Sequence, residues 1–216
     1  HVDRLERPWG EVFDPDEVNA ALARKRYKLL AVVHAETSTG VCQPLDGLQA
    51  IAKESGALFL VDMVTSLGGM DVALDRMGID AAYSGTQKCI SCPPGLSPIS
   101  FGPAAMKALT ERKTPALSWY LDLSMLNSYW GADRKYHHTA PISANYSLFE
   151  ALSIVAEEGL EARFTAEVAR ATAGMSRRDA DVLVRKLVAR YQPELNQRPV
   201  GQSFTEVYDP ISIQPR

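Results

Sequence analysis

Cysteine is scarce in this chain: Cys42, Cys89 and Cys92 are the only three in 216 residues. A small, odd number of thiols excludes the paired framework with which small secreted domains staple themselves, so reduced cysteines are expected. Cys89-x-x-Cys92 has half the spacing of a zinc or redox motif, but no second pair follows and Pro93-Pro94-Gly95 reads as a turn, so no metal is expected. Long apolar runs are also missing. None approaches the roughly 20 residues that cross a bilayer, and the start His1-Val2-Asp3-Arg4 has neither a charged leader nor an apolar h-region. A cytoplasmic chain with no membrane partner is the expectation. Charge of one sign is lacking too: 23 Lys plus Arg stand against 26 Asp plus Glu, a net charge of -3. That balance gives no electrostatic reason for nucleic acid as a partner and leaves small molecules or proteins. There is no internal repeat and no low-complexity tract.

What is present is an ordinary globular composition, 46% hydrophobic and 23% charged, enough for one sizeable core. From Asp14 onward, helical and strand patterns alternate as in a sheet built from β-α units. Asp14 as N-cap, Pro15 in the first turn and Val18, Ala21, Leu22 and Ala23 as an apolar stripe predict a helix to about Tyr27. Leu29 to Val33 reads as a buried strand, 34–43 as a polar loop, and Pro44 to Ser55 as a helix ended by Gly56. The continuous apolar run Ala57 to Val61 suits a strand covered on both faces, and it ends in Asp62. Strands are also expected over Asp80 to Ser84 and Ser97 to Phe101, and helices over Pro103 to Arg112 and Pro141 to Glu158, with Gly159 weakening or bending the last. Beyond Arg163, Ala, Arg and Glu dominate. Ser176 and Asp179 form a capping pair for an amphipathic helix to Tyr191, and Pro193, Pro199, Pro210 and Pro215 punctuate the rest.

Two charged residues lie where apolar strands run out, the edge at which open parallel sheets place their ligands: Asp62 and Lys88. Alone, Asp62 reads equally as a helix cap, and Lys88 as a solvated loop charge. Together they match what pyridoxal-phosphate chemistry needs. That chemistry takes a lysine amine able to form a Schiff base and a carboxylate that keeps the pyridine nitrogen protonated, so that the ring accepts electrons. The small residues Ser84, Gly85 and Thr86 leave space for such a ring and offer hydroxyl and backbone donors to a phosphate.

The strings His34-Ala35-Glu36-Thr37-Ser38-Thr39-Gly40-Val41, Leu60-Val61-Asp62-Met63-Val64-Thr65-Ser66-Leu67-Gly68-Gly69, Tyr83-Ser84-Gly85-Thr86-Gln87-Lys88, Pro93-Pro94-Gly95 and Tyr136-His137-His138-Thr139-Ala140-Pro141 carry a resemblance. In their order and spacing, residues 11 to 163 resemble the alanine–glyoxylate, serine–glyoxylate and serine–pyruvate aminotransferases, class V enzymes of the aspartate-aminotransferase fold (fold type I). The resemblance implies an α/β fold, part of a pyridoxal-phosphate-binding large domain over 1–163, with a helical and irregular tail over 164–216. It implies pyridoxal 5'-phosphate bound as a Schiff base to Lys88, Asp62 on the pyridine nitrogen, and Val64 under the ring. Thr37 would hydrogen-bond near the ring's phenolic oxygen, and Gln87 would help hold the phosphate. Tyr136 and Thr139 would reach the phosphate of a neighbouring subunit's cofactor, making a homodimer with shared sites. The implied reaction moves the amino group of alanine or serine to glyoxylate or pyruvate. The same fold with ureidoglycine or aminoethylphosphonate as donor is an alternative.

In that family an upstream segment supplies a small-residue phosphate loop and a stacking aromatic, and a smaller C-terminal domain supplies an arginine for the substrate carboxylate. Residues 1–216 match neither, and Arg177, Arg178, Arg185 and Arg190 read as the solvated face of a helix. A catalytically inactive fragment or fusion is therefore the other expectation. Within the tail, Met175 to Ala180 and Phe204 to Asp209 faintly resemble the C-terminus of corrinoid-dependent monomethylamine methyltransferases.

Overall fold

In the computed structural model, which describes residues 1–171, the first helix starts where Asp14 accepts a hydrogen bond from the Asp16 N–H at 2.8 Å. With Pro15 in the first turn it forms α1 (Pro15–Leu22), which buries Val18, Ala21 and Leu22. The sequence predicts a helix to Tyr27, but α1 stops earlier, because the apolar stripe gives way to Arg24-Lys25-Arg26. There Lys25 pairs with Asp3 at 2.7 Å, and the Tyr27 hydroxyl donates to the same carboxylate at 2.5 Å.

The chain continues through β1 (Leu29–Val33), β2 (Ala35–Glu36), β3 (Val41–Cys42), α2 (Leu48–Ser55), β4 (Leu58–Asp62), β5 (Ala81–Tyr83), β6 (Ile99–Phe101), α3 (Pro103–Thr110), α4 (Leu123–Trp130), α5 (Ile142–Glu158) and α6 (Leu160–Ala171). Everything below lies in its first compact unit, His1–Arg170. The predicted loop over 34–43 is instead a short antiparallel hairpin, β2 against β3. The helix expected from Pro44 begins only at Leu48. Gly47 ahead of it has φ +81°, and Gln43 holds the preceding backbone by donating to the carbonyls of Phe13 and Pro44. Gly56, also left-handed at φ +75°, ends α2 as predicted. Gly159 ends one helix and separates it from α6, which runs without a break past residue 163. Helix α4 has no counterpart in the sequence reading, since none of its residues is buried and it therefore shows no inward apolar stripe. The predicted helix from Ser176 to Tyr191 and the proline-rich segment lie outside the described residues.

The main sheet has the order β1-β4-β5-β6, with β1, β4 and β5 parallel and β6 antiparallel. Register places Val33 beside Asp62 and Asp62 beside Tyr83, so three strands end level with one another. One face is covered by α1 and α2. Val18, Leu22, Leu48 and Ala52 meet Phe59, Val61 and Met63 there, and removing a buried ring such as Phe59 would cost about 3–5 kcal/mol. The opposite face leaves Leu29 and Val33 exposed and Leu58 and Leu60 half-buried, so the expectation of full burial for β1, and of cover on both faces for β4, is corrected within the described residues. A smaller cluster sets the inner side of α5, Leu148 and Ala151, against Ile90 and Cys92 in the loop after β5.

His34, directly after β1, continues the ladder by donating its N–H to the Asp62 carbonyl at 3.0 Å. Its side chain is 2% exposed and its Nδ1 has no hydrogen-bond partner. Burial disfavours the imidazolium and lowers the His34 pKa to about 4 from 6.5. An unfolded chain protonates this ring near 6.5 while the folded chain resists until about 4, so His34 lowers stability as pH falls through that window and has no such effect above it. In His34→Gln the loss of unfolding free energy between pH 6.5 and 4, measured by urea titration at a series of pH values, is expected to be shallower than in the parent. Equal slopes for the two proteins would contradict the buried neutral imidazole.

Candidate active site

Asp62 is the last residue of β4, and its carboxylate is occupied at both oxygens. The Val64 N–H donates to Oδ1 at 2.8 Å, closing a tight turn as the chain leaves the sheet. The Tyr83 hydroxyl donates to Oδ2 at 2.6 Å from the end of the neighbouring strand. Both oxygens of the carboxylate therefore act as acceptors. The hydrogen bond to Asp62 raises the Tyr83 pKa to about 12, with partial burial and the carboxylate charge adding to the effect, so the phenol remains a donor at any physiological pH.

Lys88 lies in the loop after β5, exposed, with Gln87 exposed beside it. Gln87 folds back over Gly85, where an added Cβ would come within 2.8 Å of its Oε1. Ser84 and Thr86 do not point their hydroxyls outward, contrary to the expectation that they offer donors to a phosphate. Ser84 Oγ donates to the Met63 carbonyl at 3.1 Å and Thr86 Oγ1 to the Pro93 carbonyl at 2.8 Å, and both residues are buried. Their work is to hold the loop to the sheet and to its own return segment.

The loops after β4 and β5 are pressed together. A Cβ on Gly69 would sit 2.6 Å from Cys89 Sγ, and Gly68, at φ +86°, lies against the Cys89 backbone. Cys89 Sγ donates to the Thr65 carbonyl at 3.2 Å. Arg163 locks this contact from α6. Its guanidinium, 8% exposed, donates to the Gly68 carbonyl at 2.9 Å, to Ser91 Oγ at 3.0 Å and to the Cys89 carbonyl, and it pairs with Glu158. The residue after Lys88 is thus held by a buried cation, and sequence reading gave no sign of this, because the contacts span 72 to 95 positions.

The sequence-predicted residues divide into three groups. Asp62, Val64, Gln87 and Lys88 stand beyond the same sheet edge on two adjoining loops. Thr37 is exposed at the tip of the β2–β3 hairpin, whose base is tied to the loop after β4 by the Thr65 hydroxyl donating to the Ala35 carbonyl. Tyr136 and Thr139 form a separate exposed pair between α4 and α5, with their hydroxyls 3.0 Å apart. Behind them His137 is buried. Its Nε2 must donate to the Trp119 carbonyl at 2.8 Å, so a neutral His137 accepts at Nδ1 from His138 Nδ1 at 2.9 Å. Rings of Trp119 and Tyr120 flank this pair. The residues that sequence reasoning missed are Tyr83, Arg163 and His34. Of these Tyr83 and His34 stand in the strings that carry the family resemblance, while Arg163 left no trace.

A carboxylate held at a strand end, an exposed amine on the adjoining loop, and buried polar atoms without partners beside them, His34 Nδ1 and Ser66 Oγ, suit a polar aromatic cofactor with a basic ring nitrogen. Comparison with known proteins agrees with this geometry. The chain is 43% identical over 155 residues to alanine–glyoxylate aminotransferase of Oryctolagus cuniculus, a match covering 70% of this chain and 40% of that protein. It is 38% identical over 182 residues to (S)-ureidoglycine–glyoxylate transaminase of Bacillus subtilis, covering 76% and 44%. The crystal structure of alanine–glyoxylate aminotransferase from Nostoc sp. superposes with a TM-score of 0.73 at 49% identity, over 74% of this chain and 43% of that one. The chain therefore spans less than half the length of these relatives. The family model for class-V aminotransferases matches residues 2–189, and the chain belongs to that family.

Proposed function

We propose that this chain forms the cofactor-holding part of a pyridoxal-phosphate-dependent aminotransferase that transfers the amino group of alanine or serine to glyoxylate or pyruvate. The observation that carries the proposal is the Asp62 carboxylate, fixed by Val64 and Tyr83 at the edge from which the Lys88 loop also springs. When bound, the cofactor supplies an electron sink for the substrate's α-carbon. Asp62 would keep the proton on the ring nitrogen, which an acceptor-only carboxylate favours. Lys88 would hold the cofactor through its amine and then move the proton at the substrate's α-carbon. Val64 would pack under the ring, Thr37 would meet its phenolic oxygen, and Gln87 would help hold the phosphate. Residues 1–163, which contain all of these side chains, belong on this account to a large cofactor-binding domain. The likeness to the (S)-ureidoglycine–glyoxylate transaminase of Bacillus subtilis favours ureidoglycine as the other donor to test. A cytoplasmic setting fits the scarcity of cysteine, three residues in 216.

A homodimer with shared sites is part of the proposal. Tyr136 and Thr139 stand exposed, and the outer side of α5 presents Ile142, Tyr146 and Phe149 at a spacing that aligns them in one stripe. Large exposed apolar side chains gathered on one face mark an interaction surface. A second copy of this chain, placing Tyr136 and Thr139 at the other's phosphate, would cover it.

Covalent trapping tests the site. After incubation with pyridoxal phosphate and borohydride reduction, mass spectrometry is expected to find the adduct on the Lys88 peptide and to lose it in Lys88→Ala. Asp62→Asn should keep the adduct while transamination falls by orders of magnitude. An adduct elsewhere with Lys88 unmodified, or no adduct at all, contradicts the assignment, the second result favouring the inactive alternative. Sedimentation tests the assembly: the parent is expected as a dimer, and the pair Tyr146→Asp with Phe149→Asp as a monomer, since two buried charges oppose association. A dimer that persists in the paired variant rules out this face.

A further inference from the structure

Tyr83 carries no role in the account above beyond its hydrogen bond, and it is the group the site leaves unexplained. It is the last residue of β5, directly in register with Asp62, and the Met63 N–H donates to its carbonyl at 2.8 Å, so the two side chains leave the sheet side by side. Its hydroxyl reaches Asp62 Oδ2 at 2.6 Å while the residue keeps 40% of its surface exposed. The partner of that phenol is the carboxylate itself. What it changes is the carboxylate.

We propose that Tyr83 is a positioning residue that fixes the Asp62 carboxylate as an oriented acceptor for the protonated ring nitrogen of pyridoxal phosphate. The inference rests on the cofactor reading given above. A carboxylate has about four lone-pair sites. Val64 uses one on Oδ1 and Tyr83 one on Oδ2, which stops the group rotating and leaves acceptor capacity for a third donor. With both oxygens already accepting, the carboxylate faces a ring nitrogen as a fixed acceptor for that nitrogen's N–H. The phenol performs this only while protonated, and the charge it stabilises keeps it so: its pKa stands at about 12. Tyr83 touches Asp62 and not the reacting atoms.

The test uses the full 216-residue chain and two readouts. With tyrosine labelled with carbon-13 at Cζ, the resonance missing from Tyr83→Phe identifies Tyr83. It is expected to titrate near 12 in the parent and to fall toward the ordinary value of about 10 in Asp62→Asn. The dissociation constant of pyridoxal phosphate, followed by its visible absorbance, is expected to rise about 10-fold or more on Tyr83→Phe in the parent, as for loss of a charge-assisted hydrogen bond. In the Asp62→Asn background the same change should cost less than about 3-fold, because its partner charge is gone. A Tyr83 titration that is unmoved by Asp62→Asn, or an equal loss of affinity in both backgrounds, overturns the role of Tyr83 while leaving cofactor trapping on Lys88 intact. Failure of the parent to trap the cofactor on Lys88 overturns the cofactor reading, and with it this role, even if the titration shift is present.

Discussion

The two hydrogen bonds that grip Asp62 are the constraint on which the site depends. A carboxylate at the end of a parallel strand, left alone, would rotate and share its charge with water. Here the Val64 N–H takes one oxygen and the Tyr83 hydroxyl the other. The Val64 donor comes from a local turn, whereas the Tyr83 donor is in reach because β4 and β5 are parallel and in register, Asp62 beside Tyr83. Shifting either strand by one residue would turn the side chain to the opposite face and dissolve the arrangement. The sheet register is therefore part of the chemistry, and the helices that hold the sheet, α1 and α2 against Phe59 and Val61, act on the site through it.

The second constraint is the close approach of the loops after β4 and β5. Gly69 leaves room for the Cys89 thiol, which an added Cβ would meet at 2.6 Å, and Gly68 takes the left-handed φ of +86° beside the Cys89 backbone. Arg163 ties both loops by their carbonyls, and the inner face of α5 supports the Lys88 loop through Ile90 and Cys92. A buried guanidinium that meets three separate backbone or hydroxyl acceptors and one carboxylate is favourable because each of its three nitrogens has a partner. Lys88 itself stays exposed at the loop tip, as an amine that must meet a ligand requires.

Much of this was legible in the sequence, and the parts that were not share a physical cause. The apolar runs marked β1 and β4 nearly to the residue, and the end of the second run pointed to Asp62 once it was paired with Lys88 beyond the next strand. The blocks around Thr37, Asp62, Lys88 and Tyr136 carried the family resemblance, which the match over residues 2–189 then established. Helix α4 escaped because it buries nothing, and the hairpin over Ala35 to Cys42 because two-residue strands have no periodicity to read. The roles of Ser84 and Thr86 were misjudged because a hydroxyl's partner is a tertiary fact: both point into the fold, not toward a ligand. Tyr83 and Arg163 act through register and through contacts 72 to 95 positions away, neither of which local sequence encodes.

The central claim is that the carboxylate gripped by Val64 and Tyr83 holds a proton on the ring nitrogen of pyridoxal phosphate. Nitrogen-15 NMR of the cofactor labelled at that nitrogen, bound to this chain, reads the protonation state directly. The account predicts a pyridinium signal that persists well above the pH at which the free cofactor loses this proton. A bound ring nitrogen that is unprotonated at neutral pH would contradict it.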